Sequence, residues 1–208
     1  MNSSVSKASD VWKRIKPFAM PDLVSLLPST KSGGSTSEGY AIMVYDQSAK
    51  KIKQYSMTSD GLSAALAAAS SGDVVFMPAA TISGNHTVPD GVSLVGLDRK
   101  RCILTGQITL GLNCKLGELS VARSGSSGTV IGVVLANAGA RITGCIISVS
   151  NSGGDAIGVK ATPGAIGTAE GCDVTATGSG DGWGYYADGA NITVESGMLD
   201  ADIPMEAI

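Results

Sequence analysis

The sequence predicts an all-β fold, a right-handed parallel β-helix in which short strands stack as the turns of a solenoid. Four stretches between residues 106 and 201 begin with a glycine, and these leading glycines recur every 26 residues: Gly106, Gly132, Gly158 and Gly184. A fixed period of this kind is typical of repeat proteins. Each copy contains short runs of Val, Ile, Leu and Thr broken by Gly, Asn, Asp, Ser or Pro, without helical spacing. Such a period suits three short strands and three bends in each turn.

A second glycine in each copy predicts where the chain bends and which side chains then face the interior. These second glycines are Gly117, Gly144, Gly171 and Gly197. Side chains alternate between the two sides of a strand, so aliphatic and polar columns are expected after each of them. The expected interior residues are Leu119, Val121, Ile147, Val149, Val174, Ala176, Leu199 and Ala201. The expected outward residues are Ser120, Ser148, Thr175 and Asp200.

The strands that follow the leading glycines predict two further columns. Val133, Val159 and Tyr185 are expected to share one column. The other column holds Val134, Lys160 and Tyr186, and its lysine indicates that this column faces solvent.

Composition limits the classes of function. The chain has 208 residues, 43% hydrophobic but only 4% aromatic, which suits a narrow core of small aliphatic side chains. Its net charge of −3 is far from the basic balance of a nucleic-acid-binding surface. No run reaches the length of a membrane span, and the first residues have no apolar core of signal-peptide length. We therefore expect synthesis in a cytoplasm, with no membrane span and no nucleic acid partner.

The cysteines and the single histidine do not predict a metal site or a cofactor. Cys102, Cys114, Cys145 and Cys172 lack CxxC spacing. Cys145 and Cys172 follow successive glycines and should lie on neighbouring turns, where either a bridge or two buried thiols would fit; we favour the buried thiols.

We expect two regions in the chain. Residues 1–57 are predicted to be an attachment segment for other proteins. It contains a proline-punctuated leader, a Gly/Ser linker over residues 31–39 and a β-hairpin formed by residues 40–45 and 51–55. A hairpin alone is marginal, so it should pair with a partner chain or pack on the next element. Residues 58–208 are predicted to be a helix followed by the β-helix.

The helix is predicted between Thr58 and Gly72, with Ser59 or Asp60 as N-cap and with Leu62, Ala65, Leu66 and Ala69 on one stripe. The segments after it read Gly-Asp-Val-Val-Phe-Met-Pro-Ala from Gly72 and Thr-Val-Pro-Asp-Gly-Val-Ser-Leu-Val-Gly from Thr87. Together they resemble the start of the parallel β-helix in the pectate-lyase-like superfamily, which includes phage tailspikes. The resemblance covers about residues 58–201 and implies that the helix covers the first turn. It implies little about chemistry, because that fold hosts lyases, hydrolases and binding proteins.

From the sequence we expect no comparable covering element at the opposite end of the coil. Either Ile203, Met205 and Ile208 fold across the opening, or another chain covers it.

Catalytic constellations of the superfamily's enzymes are not evident in the repeats. Lyases of this fold resemble one another in a calcium-binding acidic cluster with an Arg or Lys base, and its hydrolases in paired aspartates with a histidine. Asp173 and Asp200 could share a site, but we expect them to be solvated carboxylates. His86 is expected at the surface or at the cap.

The best candidate for a binding site is the segment from Ser179 to Asp188. Sugars stack on aromatic rings while carboxylates accept their hydroxyl hydrogen bonds. The candidate carbohydrate-binding residues are therefore Trp183, Tyr185, Tyr186, Asp181 and Asp188. The alternative places Trp183 and Tyr185 inside the coil, with Tyr186 the better candidate for the surface.

These expectations favour a phage tailspike or tail-fibre type of virion protein that binds a host surface glycan. By the same resemblance it would be a homotrimer that contacts other virion proteins through residues 1–57. A polysaccharide lyase or glycoside hydrolase with a site between chains is the second hypothesis, and a bacterial adhesin fragment is the third.

Overall fold

The computed structural model describes residues 41–201 and 203–207, and it is a solenoid of stacked strands. Its strands are β1 (Ile42–Asp46), β2 (Lys51–Tyr55), β3 (Val74–Met77), β4 (Ala80–Ser83), β5 (His86–Val88), β6 (Ser93–Gly96), β7 (Cys102–Thr105), β8 (Ile108–Leu110), β9 (Lys115–Gly117), β10 (Ser120–Gly125), β11 (Val130–Leu135), β12 (Ala140–Thr143), β13 (Ile146–Asn151), β14 (Ala156–Ala161), β15 (Ile166–Gly178), β16 (Gly182–Ala187), β17 (Asn191–Ala201) and β18 (Ile203–Ala207). One helix, α1 (Ser59–Ala68), lies between β2 and β3. The predicted leader and the linker over residues 31–39 lie outside the described residues.

Parallel pairing arranges the strands of the coil in three faces, so that each turn contributes one strand to each face. The first face is formed by β3, β6, β9, β12 and the first halves of β15 and β17. The second face is formed by β4, β7, β10, β13 and the second halves of β15 and β17. The third face is formed by β5, β8, β11, β14, β16 and β18. The predicted parallel β-helix is confirmed.

The β-hairpin joins the coil. Strand β1 pairs antiparallel with β2 on one side and antiparallel with β3 on the other. Of the two expected ways to stabilise the hairpin, the structure therefore shows packing on the next element. Ile42 and Val44 of β1 are buried in the common core.

The helix covers the first turn. Leu62, Ala65 and Leu66 are buried in the same cluster as Ile82 and Val88 of the first turn, as the apolar stripe predicted. The N-cap is Thr58, whose hydroxyl accepts a hydrogen bond from the Gly61 N–H at 3.0 Å, so the predicted cap was one or two residues late. The helix ends at Ala68 with Ala69 as C-cap, before the predicted stop at Gly72.

Two of the leading glycines, Gly132 and Gly158, mark places where the interior has no room for a side chain. Gly132, Gly158 and Gly184 occupy equivalent positions in β11, β14 and β16. A Cβ added to Gly132 would lie 2.8 Å from Val149 Cγ2, a side chain that crosses the bore from the second face. Gly106 lies one residue out of line with them, because Ile108 pairs with Val133. The expected alignment of all four glycines is therefore wrong at Gly106, which precedes β8 and belongs to a bend.

The bend between the first and second faces needs a residue in the left-handed region of φ. Four stacked residues occupy it: Glu118 (φ 52°), Gly144 (φ 61°), Gly171 (φ 60°) and Ser196 (φ 59°). Glycine adopts this region at little cost, which explains the two glycines. The predictions at Gly117 and Gly197 were each one residue away from the actual bend.

The predicted columns are confirmed in their direction. The interior residues from Leu119 to Ala176 are buried, and Ser148 faces outward. The order of the interior residues after each second glycine would pair Leu119 with Ile147, but the observed partner of Ile147 is Val121, two residues further along the strand. A shift of two residues preserves the side of the sheet, so the inward and outward assignments remain correct.

All four cysteines are buried free thiols. Cys145 lies opposite Cys172 on the next turn, and the two thiols do not form a bridge; Cys145 Sγ lies 3.5 Å from the Thr143 carbonyl and Cys172 Sγ lies 3.4 Å from the Glu170 carbonyl. Complete burial raises the pKa of the Cys145 thiol, which keeps it protonated and unreactive.

The last described turn is exposed. Leu199 was expected to be interior but is 37% exposed. Its strand, β17, pairs with β15 on one side, and no described strand pairs with its other side. The backbone of β18 continues the third face beside β16 instead of crossing the opening, so the expected fold of Ile203 and Met205 across the end is not observed. Ile208 lies outside the described residues.

Candidate functional site

The predicted aromatic site divides between the interior and the surface. Tyr185 is 2% exposed and fills the bore, so it has no free face on which a sugar could stack. Burial raises the pKa of its phenol. Because Gly184 and Tyr185 both face the interior, the alternation is interrupted, and Trp183 and Tyr186 remain half-buried on the outside of the third face. The structure thus removes Tyr185 from the candidate binding residues.

Trp183 and Tyr186 form a compact aromatic pair. Their ring centroids are 5.6 Å apart and the planes meet at 63°, an edge-to-face arrangement. The Lys160 ammonium lies 5.4 Å from the centroid of the Tyr186 ring, a cation–π contact supplied by the preceding turn. We call Trp183, Tyr186 and Lys160 the aromatic patch. It offers apolar ring surface and a cation beside each other.

The two carboxylates predicted for this site do not converge. Asp181 precedes β16 and Asp188 follows it, and a strand of this length separates its ends by roughly 20 Å. Asp181 is exposed, and its N–H donates to Asp155 Oδ1 at 3.1 Å across one turn. A sugar on the Trp183 ring could therefore reach only Asp181, and a sugar on the Tyr186 ring could reach only Asp188.

Asp173 and Asp200 lie near each other on the second face. Asp200 pairs in register with Thr175, two residues along the strand from Asp173, so the two carboxylates are diagonal neighbours on successive turns. Asp173 forms an ion pair with Arg99 at 3.2 Å, and its Oδ1 accepts the Met198 N–H at 3.3 Å. Asp173 is therefore already held by the protein.

His86 lies beneath the helix cap. It is 4% exposed, and its Nδ1 lies 3.2 Å from the Ser63 hydroxyl of α1. Its Nε2 is buried without a hydrogen-bond partner. His86 was expected either at the surface or at the cap, and the structure places it at the cap. Burial lowers the pKa of His86 because a charged imidazolium would lack water.

We expect His86 to make the cap sensitive to acid. Unfolded His86 takes up a proton near its ordinary pKa of 6.5, and folded His86 does so only at lower pH. Between these values the unfolded state binds more protons, so the free energy of unfolding decreases as the pH falls below about 6.5. Urea unfolding at several pH values should show this slope, and His86→Gln should flatten it. An unchanged slope in His86→Gln would contradict the assignment.

A groove that the sequence did not predict runs along the second face. It encloses about 450 Å³ and is lined by residues of the second to fourth turns and by a bend of the first: Asn85, Thr105, Gly106, Ala122, Arg123, Ser124, Ser148 and Ser150. We call it the hydroxyl groove. Thr105, Ala122 and Ser148 follow one another in register across β7, β10 and β13. Ser124 and Ser150 form a second pair alongside them.

Arg123 is among the lining residues, but it pairs with the buried Val149, so its side chain leaves the opposite side of β10 from Ser124 and is held there by a polar network. Its Nη1 donates to Gln107 Oε1 and to the Ile131 carbonyl, each at 2.7 Å. Gln107 is fixed in turn, because its N–H donates to Asn85 Oδ1 at 2.8 Å. These hydrogen bonds hold the Arg123 guanidinium between β10 and β11.

The groove was missed because its residues do not form a motif. They come from four separate strands and bends, and only the stacking of the turns brings them together. A partial signal was present: Ser148 was among the expected outward residues. On the same side of the sheet, Ser150 lies two positions beyond Ser148, and Ser124 lies four positions beyond the outward Ser120.

Comparisons with known proteins add no family to this description. No protein-family model, curated protein or solved structure matches the chain. Within residues 41–201 and 203–207, no helix is long and apolar enough to cross a membrane. The same residues contain no group of three His, Cys, Asp or Glu side chains that could hold a metal ion.

Proposed function

We propose that this chain is a virion protein of the phage tailspike or tail-fibre type, which binds a host surface glycan through the aromatic patch. The observation that carries the proposal is the outward Trp183–Tyr186 pair with Lys160 on a rigid ladder. Ring faces of this kind stack on the apolar faces of sugars, and a fixed strand presents them at little entropic cost. The assignment to phage tails depends on the resemblance of residues 58–201 to the pectate-lyase-like superfamily.

The aromatic patch is tested by measuring glycan binding to arrayed bacterial surface polysaccharides. We expect Trp183→Ala and Tyr186→Ala each to weaken binding by about three- to tenfold, the effect of losing one aromatic contact. Trp183→Phe is the matched control, because it keeps a ring at the same position and should retain most of the affinity. Unchanged binding in both alanine variants would contradict the site.

The virion role has separate tests. Capsid and tail genes beside this gene, and the chain itself in purified phage particles, are the expected results. Their absence together would contradict a role in the virion without affecting glycan binding.

A homotrimer is part of the proposal. The last described turn exposes Val194 (37%), Met198 (62%) and Leu199 (37%), apolar side chains that association with other copies would cover. Native mass spectrometry should find three chains. A single-chain mass at all concentrations would contradict this part of the proposal.

A polysaccharide lyase or glycoside hydrolase is the alternative. The diagonal placement of Asp173 and Asp200 favours it, since paired carboxylates serve as acid and base in glycoside hydrolysis. New reducing ends or unsaturated products after incubation with a bound glycan, lost in Asp200→Asn, would support the enzyme. Binding without products would support the virion protein.

A further inference from the structure

Two of the four buried thiols lie one above the other. Cys145 and Cys172 occupy the same position on neighbouring turns, because Ile146 and Asp173, the residues that follow them, pair in register. Adjacent parallel strands are about 4.8 Å apart, within the roughly 4.4–6.8 Å that separates the Cα atoms of a disulfide. Both side chains face the interior and are buried. The backbone therefore already has the spacing of a disulfide.

The two sulfur atoms also point the same way. Each Sγ lies within 3.5 Å of the carbonyl oxygen two residues earlier in the chain, at Thr143 for Cys145 and at Glu170 for Cys172. Thr143 and Glu170 pair in register, so the two sulfurs are stacked along the direction that runs from turn to turn. Joining them requires rotation of the side chains and no change of register.

The two thiols differ in their acidity. Burial raises the pKa of Cys145, whereas the adjacent Cys145 thiol lowers the pKa of Cys172. The thiolate is the form of cysteine that attacks an oxidant. Cys172 is therefore the thiol that reacts first, and Cys145 reacts only with a sulfur held beside it.

The other two cysteines have no thiol next to them. Their neighbours on adjacent turns are aliphatic: Ala80 and Leu119 beside Cys102, Val92 and Ala140 beside Cys114. One pair of thiols is thus placed to be joined, and Cys102 and Cys114 serve as controls within the same chain.

A small oxidant can reach the pair from the exposed end of the coil. The neighbour of Cys172 on the next turn is Gly197, which has no side chain to cover the thiol. Met198 and Leu199 of the same strand are exposed, and no described strand pairs with the other side of β17. Segments with few covering contacts open locally at a low cost in free energy. The route to Cys172 therefore crosses the least covered turn of the described coil.

We propose that Cys145 and Cys172 form an oxidation site, at which a peroxide joins two neighbouring turns by a disulfide. Hydrogen peroxide converts the Cys172 thiol to a sulfenic acid; the O–O bond of the peroxide breaks and one water leaves. The Cys145 sulfur then attacks the Cys172 sulfur, the S–S bond forms, and the sulfenic hydroxyl leaves with the Cys145 proton as a second water. Two thiols are oxidised and one peroxide is reduced. This site does not depend on glycan binding or on a role in the virion.

Treatment of the folded full chain with hydrogen peroxide tests the site. After catalase has removed the peroxide, the remaining thiols are alkylated in urea, and the digested chain is analysed by mass spectrometry. We expect a peptide pair joined at Cys145 and Cys172, with Cys102 and Cys114 alkylated. The disulfide closes a loop of one turn, so the melting temperature should rise by about 5–10 °C and should return to its starting value after reduction with dithiothreitol.

Cys145→Ala separates the disulfide from other oxidation. This variant keeps the thiol that meets the peroxide but lacks the second thiol, so dimedone should trap Cys172 as a sulfenic acid and the melting temperature should not rise. Cys102→Ala is the matched control, because it removes a buried thiol that has no cysteine neighbour and should still form the bond. If Cys145→Ala does not fold, the peptide pair from the native chain decides alone.

Three results would overturn the inference. The first is the absence of a Cys145–Cys172 peptide pair from the folded, peroxide-treated chain. The second is a bond to Cys102 or Cys114 in comparable yield, and the third is an equal rise of the melting temperature in Cys145→Ala.

Discussion

Replacing Tyr185 by alanine should lower the free energy of unfolding by about 3–5 kcal/mol, the cost of removing a large buried aromatic side chain. Tyr185 is 2% exposed and belongs to the continuous core, where it continues the column of Val133 and Val159. Its ring fills the bore near the open end, and the short aliphatic neighbours cannot close the resulting cavity. Urea unfolding followed by circular dichroism measures the loss.

Tyr186→Ala is the matched control for this prediction. The same residue type is removed one position along the same strand, but from the outer surface. We expect a loss of about 1 kcal/mol, from the contacts with Trp183 and Lys160. Equal losses in the two variants would mean that Tyr185 does not lie inside the coil.

Replacing Gly158 by alanine should cost about 2–3 kcal/mol through overpacking of the bore. A Cβ on Gly158 would lie 2.7 Å from the Gly184 carbonyl oxygen and would overlap the Val174 side chain. The backbone of the neighbouring turn cannot move away without disturbing the ladder. Thermal and urea unfolding should both show the loss.

Two further variants separate crowding from backbone strain. Gly171 has a φ of +60°, but a methyl group added there would have open space, with its nearest neighbour 4.0 Å away, so Gly171→Ala should cost only about 1 kcal/mol. Adding Val174→Ala to Gly158→Ala should recover part of the loss, because the overlapping side chain is shortened. A double variant no more stable than expected from the two single losses would contradict the crowded interior.

The parts of the fold that depend on period and alternation could be predicted from the sequence. The 26-residue spacing located the third-face strands, and Lys160 identified the column that it shares with Tyr186 as the outer one, although Val134 in the same column is buried. The positions of the bends were harder, because Glu118 and Ser196 occupy a backbone conformation that usually requires glycine. Here the neighbouring turns impose the conformation, and the adjacent Gly117 and Gly197 misdirected the alignment.

The candidate sites were less predictable than the fold. Trp183, Tyr185 and Tyr186 lie within four residues of one strand. Gly184 and Tyr185 are both buried, so side chains do not alternate strictly along this strand, and alternation alone could not predict which rings face outward. The hydroxyl groove is lined by residues as far apart in sequence as Asn85 and Ser150. Single serines have no distinctive spacing, so only the register of the turns reveals them.

The antiparallel pairing of β1 with β3 makes the two ends of the solenoid unequal. A further copy could extend a parallel ladder only by meeting a strand of matching direction, and β1 runs the opposite way. Beyond it, β2 exposes Lys51 and Lys53, which would repel the same strand of another molecule. Strand direction and charge therefore both disfavour head-to-tail addition of a further copy through the first face of the coil.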